Sequence, residues 1–370
     1  MKIPVERTIF FFNGHHAWGG GEKWHFDTAY RLNKDGFPVT IIAAPQSELS
    51  QRAAKVGIPL VTVPIGNLRF LNPIKILKLY RILRSAFAES IVLNLSSDVK
   101  AAGLAARLAG VSRIIYRRGS AIPIRDTWLN RFLFRYIITD IIANSEETKR
   151  TILANNSDLF PKEKIQVIYN GIDLQQFDQR LSSGGVCKSG RVILGHVGRL
   201  SHEKNQKFLI DVTCALKNAG IDCCLKIAGT GPLEEELKRY AMQRGVQDHV
   251  FFMGFVENVP SFLASIDIFL LSSHWEGFGY VLIEAMAAKK PIVAFESSST
   301  PEVVCDGETG YLVPHNNHDA FVQRILDLTT DTHKRISFGR AGRERVEKVF
   351  SGQYSYERLK RILELNNVAI

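Results

Sequence analysis

Short runs rich in apolar, β-branched and aromatic residues recur along this chain, and each is followed by a longer stretch with apolar residues at helical spacing. In the first half the runs are TIFFFN, FPVTIIAA, PLVTVPIG, IVLNLSS, RIIYRRG, DIIANS and KIQVIYNG. Between them the helical pattern occupies about 21–35, 47–56, 72–88, 99–109, 127–138 and 145–155. Strands alternating with helices imply a parallel sheet with right-handed crossovers. The stretch RLSSGGVCKSG, from Arg180 to Gly190, is polar and glycine-bearing and reads as a linker. The alternation then restarts with RVILGHVGRL, DCCLKIAG, HVFFMGF, DIFLLSS, PIVAFE and GYLVP. The pattern therefore predicts an α/β protein of two Rossmann-like domains joined near residues 171–190. A last helical run, YSYERLKRILEL, follows a break at Ser351-Gly352.

The stretch from Ser272 to Glu302, SSHWEGFGYVLIEAMAAKKPIVAFESSSTPE, places Glu276 and Glu284 eight residues apart, around glycines 277 and 279. Both on one helix would stand about 80° apart around its axis. With Glu276 in the turn ahead of the helix, both carboxylates can face one pocket. The N–H groups of the first turn, near Phe278, Gly279, Tyr280 and Val281, would point at the same place. Such a site suits an anion on N–H donors with an acid on either side to accept hydroxyl groups, as a nucleoside diphosphate sugar requires. The plain alternative is an amphipathic helix with two solvated glutamates. Apolar strands before and after the stretch place the pair at the carboxyl edge of a parallel sheet, where open α/β folds bind ligands.

At 370 residues the chain has room for two domains of ordinary size, and 45% apolar with 23% charged residues is a soluble globular composition. No run approaches the ~18 apolar residues of a membrane span. MKIPVERTIFFFNG reads as a first strand and not as a signal peptide. Five cysteines, with no C-x-x-C pair, fit reduced thiols in a cytosolic protein. The net charge of +10 is one-sided: residues 1–170 hold 24 Lys and Arg against 13 Asp and Glu, the rest 23 against 24. An anionic partner is implied, a membrane surface or a phosphorylated substrate. Nucleic acid is disfavoured, since no binding motif accompanies the charge. Lys75, Lys78, Arg81 and Arg84 lie at helical spacing opposite Ile76, Leu79 and Leu83. That is a solvated basic face or a contact for anionic lipid headgroups.

Two loops add chemistry. NGHHAWGGGEKW (13–24) leads from the first strand into the first helix, and Gly19, Gly20 and Gly21 let backbone approach a ligand or simply pack a tight turn. It is not G-x-G-x-x-G, and no acid closes the second strand, so a nicotinamide dinucleotide is disfavoured. HVGRLSHEKN (196–205) puts Arg199 and Lys204 on a loop at the sheet edge, where two fixed cations would stabilise a leaving diphosphate. No D-x-D occurs, so nothing suggests a metal-bound diphosphate, and no cofactor is expected.

The Glu276–Glu284 stretch closely resembles the donor-site motif of retaining GT-B glycosyltransferases, family four in particular. HVGRLSHEKN matches that family's G-R-L-x-x-x-K-N motif, and GGGEK resembles its GG-A-E-R turn. The resemblance spans nearly the whole chain, with its specific motifs in the second half. It implies two Rossmann-like domains facing across a cleft, with a C-terminal helix crossing back to the first. The domains would be 1–170 plus about 352–370 on the acceptor side, and 171–351 for the nucleotide sugar. It further implies that Glu276 lies by the sugar hydroxyls and Glu284 holds the ribose. Arg199 and Lys204 would take a metal's role, with Gly198 in their loop, while Gly19 to Gly21 would contact donor phosphate. MGFVENV, with Gly254, Phe255 and Val259, occupies the place that holds the base. Three departures stand out. Arg118 lies nearest the position of an acceptor-side His, Lys289 replaces a usual Gly, and SSST (297–300) replaces a Gly-Gly turn.

The expected activity is a metal-independent, retaining transfer of a sugar to a hydroxyl of a glycan or lipid-linked, lipopolysaccharide-type acceptor. UDP-sugar is the first expected donor, ahead of GDP- or ADP-sugar. The expected place is the cytoplasm, peripheral on the inner face of the membrane. Two alternatives are weighed against it. An inverting transferase or sugar-nucleotide 2-epimerase would need a base, such as His15 or His16. A catalytically silent GT-B scaffold binding an anionic partner would not need Glu276, Arg199 and Lys204, all of which are present.

Overall fold

The computed structural model describes residues 8–16, 18–64, 72–181 and 191–365. Most of the expected linker (182–190) and the last residues, 366–370, lie outside the described residues. The chain divides into two compact units, Met1–Tyr169 with Arg358–Ile370, and Asn170–Glu357. Each is an α/β unit built on one parallel sheet.

The first sheet contains β1 (Ile9–Asn13), β2 (Val39–Ala43), β3 (Leu60–Thr62), β4 (Ser90–Leu93), β5 (Arg113–Arg118), β6 (Asp140–Ala143) and β7 (Ile165–Val167). Their order is β3-β2-β1-β4-β5-β6-β7. All five residues of β1 are buried, which is why it reads as a continuous apolar run and not as an alternation. Phe10 and Phe12 join a core with Leu79, Leu83, Leu133, Phe134 and Ile137. Phe11 points the other way, 6.4 Å from the Trp24 ring and 5.6 Å from His25 on the helix Gly20–Lys34. The two helical stretches expected over 99–109 and 127–138 each contain a wider π-helical turn, Val99–Gly103 and Leu133–Ile137. The two turns approach closely: a Cβ on Gly103 would lie 3.1 Å from Ile137 Cγ2.

The second sheet contains β8 (Val192–Val197), β9 (Cys223–Ala228), β10 (Val250–Phe252), β11 (Ile268–Leu271), β12 (Ile292–Phe295) and β13 (Gly310–Val313), in the order β10-β9-β8-β11-β12-β13. Every strand that the apolar pattern predicts is present. In each sheet the chain builds outward in one direction, then returns and builds in the other. The reversal falls between β1 and β4 in one unit and between β8 and β11 in the other. Loops leaving the carboxyl ends of such a strand pair diverge to opposite faces and leave a crevice for ligand. Among the described residues no helix is long and apolar enough to cross a membrane.

Candidate active site

In the second unit the two loops at the reversal are the ones that carry the motif residues. Gly198 to Asn205 leave β8, and Ser272 to Gly279 leave β11. Hydrogen bonds fasten them together: Ser272 Oγ donates to the carbonyls of Lys204 (3.0 Å) and Asn205 (2.9 Å), and the His274 N–H donates to Glu203 O (2.9 Å). Asn205 caps the next helix with a left-handed backbone (φ 51°), which turns the chain sharply after Lys204.

Lys204 and Glu276 meet across this junction. Lys204 Nζ lies 2.5 Å from Glu276 Oε1, and Ser273 Oγ donates to the same oxygen at 2.8 Å. The carboxylate side chain is 10% exposed and the lysine 21%. Both contacts fall on Oε1, so Oε2 has no partner among the described residues. The lysine has three N–H donors and gives one to Glu276. Its stem passes over Gly198, where a Cβ would sit 3.7 Å from Lys204 Cδ. Arg199 is exposed beside it, and its carbonyl is held by Gln206 Nε2 at 2.8 Å. Below, His196 is fully buried; burial pushes its imidazole down to about 4. Its Nδ1–H donates to Leu270 O (3.0 Å), and Nε2 accepts from Gln206 (3.3 Å). A neutral ring thus underlies the cationic loop and adds no competing charge.

Glu276 lies in the turn ahead of the helix Tyr280–Ala287, as the spacing predicts, with Gly279 at φ 72° as its N-cap. A Cβ on Gly279 would stand 2.8 Å from Leu282 Cδ1. Glu284 is half-buried on the second turn of that helix and Val281 on the first. Phe278 is buried against Phe350, with ring centroids 5.7 Å apart, and Tyr280 donates its hydroxyl to Gly171 O (3.1 Å). Gly277, just ahead of them, is half-buried. Two serines hold this loop from behind. Ser299 Oγ donates to Glu276 O and Ser297 Oγ to Ser273 O, each at 3.1 Å. The sequence departures at Lys289 and in SSST fall on left-handed backbone: Lys289 has φ 56° and Ser298 φ 48°. Glycine suits those positions sterically; here the turn conformation is found without it.

Toward β9 and β10, Gly229 (φ 134°) passes against the Gly198 loop, and a Cβ there would come within 2.0 Å of Gly198 O. Gly229→Ala is expected to destabilise the protein by ~1–3 kcal/mol through overpacking and a forbidden backbone angle, read as a lowered urea midpoint. Gly254 accepts the Gly229 N–H at 2.7 Å with φ 65°; Phe255 beyond it is 69% exposed, and Val259 opens the helix Val259–Ala264. Among the described residues no cluster of three or more His, Cys, Asp or Glu could hold a metal ion.

The first unit has its own polar cluster at the reversal between β1 and β4, and sequence reasoning did not single it out. Glu22 is buried and accepts from Asn13 Nδ2 (3.1 Å) and Asn94 Nδ2 (3.4 Å), with His15 Nδ1 at 3.6 Å. Asp98 accepts from the N–H groups of Leu95 (2.9 Å) and Gly14 (3.3 Å), and burial pushes its carboxyl up to about 7. Burial also lowers the neighbouring Arg117, to about 10. Of the three glycines, Gly21 is the most crowded: a Cβ there would lie 2.7 Å from Asn94 Nδ2 and would displace that amide. Gly19 would meet Glu22 Oε2 at 3.2 Å, while Gly20 faces open space. Arg118 is buried, with its guanidinium donating to Tyr116 Oη (3.0 Å) and to Ile122 O. His16 is exposed.

Family models match both halves of the chain. Glycosyltransferase Family 4 matches residues 18–176, and Glycosyl transferases group 1 matches residues 182–345. The two matches together span most of the chain, and the chain has the GT-B fold. Among curated glycosyltransferases it is 30% identical to the capsular polysaccharide biosynthesis glycosyltransferase CapM of Staphylococcus aureus, over 61% of each chain. It is 28% identical to the GDP-mannose-dependent alpha-(1-6)-phosphatidylinositol monomannoside mannosyltransferase of Mycolicibacterium smegmatis, over 80% of this chain and 81% of that one. The match to EpsF of Bacillus subtilis, at 32% identity, spans about half of that relative's length (54%). The GT-B fold is shared with HepE of Anabaena, solved with UDP and glucose, at a TM-score of 0.83, 20% identity and coverage of 96% and 99% of the two chains. A glycosyltransferase of Rickettsia africae gives a TM-score of 0.84 at 20% identity, over 98% and 100%.

Proposed function

We propose that this protein is a retaining, metal-independent glycosyltransferase that moves a sugar from a nucleoside diphosphate sugar to a hydroxyl of a glycan or lipid-linked acceptor. The observation that carries the reading is the Lys204–Glu276 pair at the β8/β11 reversal, ahead of the helix that starts at Tyr280. The diphosphate would lie on the N-terminal N–H groups of that helix, with Arg199 and the two remaining N–H donors of Lys204 on its oxygens. Glu276, through Oε2, would accept the sugar hydroxyls, and Glu284 the ribose. As the anomeric carbon–oxygen bond breaks, its electron pair leaves with the diphosphate, whose growing charge the two cations stabilise. The acceptor oxygen forms the new bond on the same face and passes its proton to the departing phosphate oxygen. UDP-sugar is the first donor to test, since HepE was solved with UDP and glucose. The names of CapM and of the mycobacterial mannosyltransferase support a polysaccharide or glycolipid acceptor. A cytoplasmic place at the membrane's inner face fits such an acceptor.

A thermal-shift panel of UDP, GDP and ADP with their sugars tests the donor site, since a ligand at 100 times its Kd adds ~2.7 kcal/mol. A protein that no nucleotide stabilises would be a silent scaffold. Proton NMR of the first-formed product tests retention. An inverted anomer would favour a base-assisted reaction, for which the His15–Glu22 contact in the first unit is the observation to pursue. Turnover is expected to persist in excess EDTA, because the cations that face the leaving group are side chains; an absolute need for Mg²⁺ or Mn²⁺ would overturn that part of the reading.

A further inference from the structure

The helices covering one face of the first sheet carry an unusual outer surface. Trp128, Phe132 and Tyr136 stand at four-residue spacing on Trp128–Phe132 and the π-turn that continues it, and they are 79%, 41% and 55% exposed. Arg131 and Arg135 are exposed on the same stretch; Arg131 is bonded twice to Asp126 just ahead of it (2.7 and 2.6 Å), whereas Arg135 lies over the ring of Tyr136. The Phe132 and Tyr136 rings lie 5.5 Å apart, and the Arg135 guanidinium lies 5.6 Å from the Tyr136 centroid. The buried side of the same stretch, Leu133, Phe134 and Ile137, joins the core that also takes Leu79 and Leu83 from the helix Pro73–Ser85. Both helices therefore belong to the layer on the Phe10 and Phe12 face of the sheet.

The outward side of Pro73–Ser85 repeats the composition, with Ile74 and Leu77 exposed beside Lys78, Arg81 and Arg84. Neither helix, nor Leu104–Ala109 in the same core, contains an Asp or Glu. The opposite layer differs: Gly20–Lys34 and Glu48–Lys55 carry the exposed Asp27 and the half-buried Glu48. An ordinary solvated helix face mixes both charge signs and does not expose three aromatic rings in line. Trp and Tyr among cations, with no acid within the helices themselves, is the composition that sits at a lipid headgroup boundary, rings at the acyl edge and cations on the phosphates.

We propose that this face docks on an anionic lipid bilayer, with Trp128, Phe132 and Tyr136 inserted at the headgroup level and Lys78, Arg81, Arg84 and Arg135 on lipid phosphates. The inference deepens the membrane-side placement proposed above and assigns it residues; it does not depend on which sugar is moved. Each cation brought to an anionic surface strengthens binding about fivefold. Burial of the three rings adds a salt-insensitive part.

The full chain is mixed with phosphatidylglycerol or phosphatidylcholine vesicles carrying lipids brominated near the headgroup end of the acyl chains. Wild-type protein is expected to sediment with the anionic vesicles only and to lose tryptophan emission. W128F should sediment almost as well but escape most of the quenching, which the other tryptophans then report. W128A/F132A/Y136A should bind at least about tenfold more weakly. K78Q/R81Q/R84Q should lose most of the salt-sensitive part. All altered side chains are exposed, and an unchanged thermal shift with UDP confirms that each variant is folded with its donor site intact. Equal quenching in W128F and wild type, or equal vesicle binding by the triple aromatic variant, would overturn the proposal. So would a soluble oligosaccharide that perturbs Trp128 emission while vesicles do not, which would make the ridge a saccharide platform. A donor site that fails to bind any nucleotide would sink the transferase reading and leave this one standing.

Discussion

Lys204→Ala is expected to lower both stability and turnover, through two different contacts of one ammonium. In the folded chain the lysine lies 2.5 Å from a carboxylate that is 10% exposed. Removing it leaves Glu276 buried without its counterion, for which ~3–5 kcal/mol is the usual range; the partial exposure of the pair favours the lower end. Turnover should fall by ~10²–10³, the effect of deleting one group that stabilises developing negative charge. The double variant Lys204→Met/Glu276→Gln separates the two effects. It replaces the ion pair by neutral groups of similar shape, so the urea midpoint should recover much of its value while turnover stays low. Recovery of turnover in the double variant would show that the cation need not touch the diphosphate. An unchanged midpoint in the single variant would show that the pair contributes no net stability.

The second large effect separates the glutamates. If Glu284 holds the ribose, Glu284→Ala should weaken free nucleoside diphosphate and full donor by similar factors. Glu276→Ala should leave free nucleotide bound at least as tightly, because it releases Lys204 toward the phosphates. Its loss should appear in kcat, since an interaction that strengthens in the transition state is lost from the rate. One charge-assisted hydrogen bond of ~1.5–3 kcal/mol corresponds to a factor of roughly 10 to 150. Calorimetry with the nucleotide, run beside donor turnover, decides the matter. Equal losses of nucleotide affinity in both variants, with kcat unchanged, would refute this division of roles while leaving the fold and family untouched.

The strands were legible because a strand buried on both faces shows as an apolar run, as IFFFN does, and glycines and polar residues punctuate the ends. The loop residues Arg199, Lys204 and Glu276 were legible as letters on strand-to-helix turns. Their contact was not. Lys204 and Glu276 are 72 positions apart, and only the adjacency of β8 and β11 brings them together. Glu22, Asn94 and Asp98 escaped notice for the same reason: polar residues after two different strands mean little until β1 and β4 prove to be neighbours. The left-handed backbone at Lys289 and Ser298 was hidden as well, because neither residue type advertises that angle.

The serine turn behind Glu276 has a further consequence. A Gly-Gly turn could follow the same path, yet it has no hydroxyls, whereas Ser297 and Ser299 each tie a carbonyl of the Ser273–Glu276 loop to their own segment. The loop is thereby suspended at both ends, and Lys204 fixes the carboxylate of Glu276 at one of them. An arriving ligand meets a rigid acceptor, so little conformational freedom is lost on association. The ordering of that loop is accomplished once, when the chain folds, and need not be repeated in every catalytic cycle.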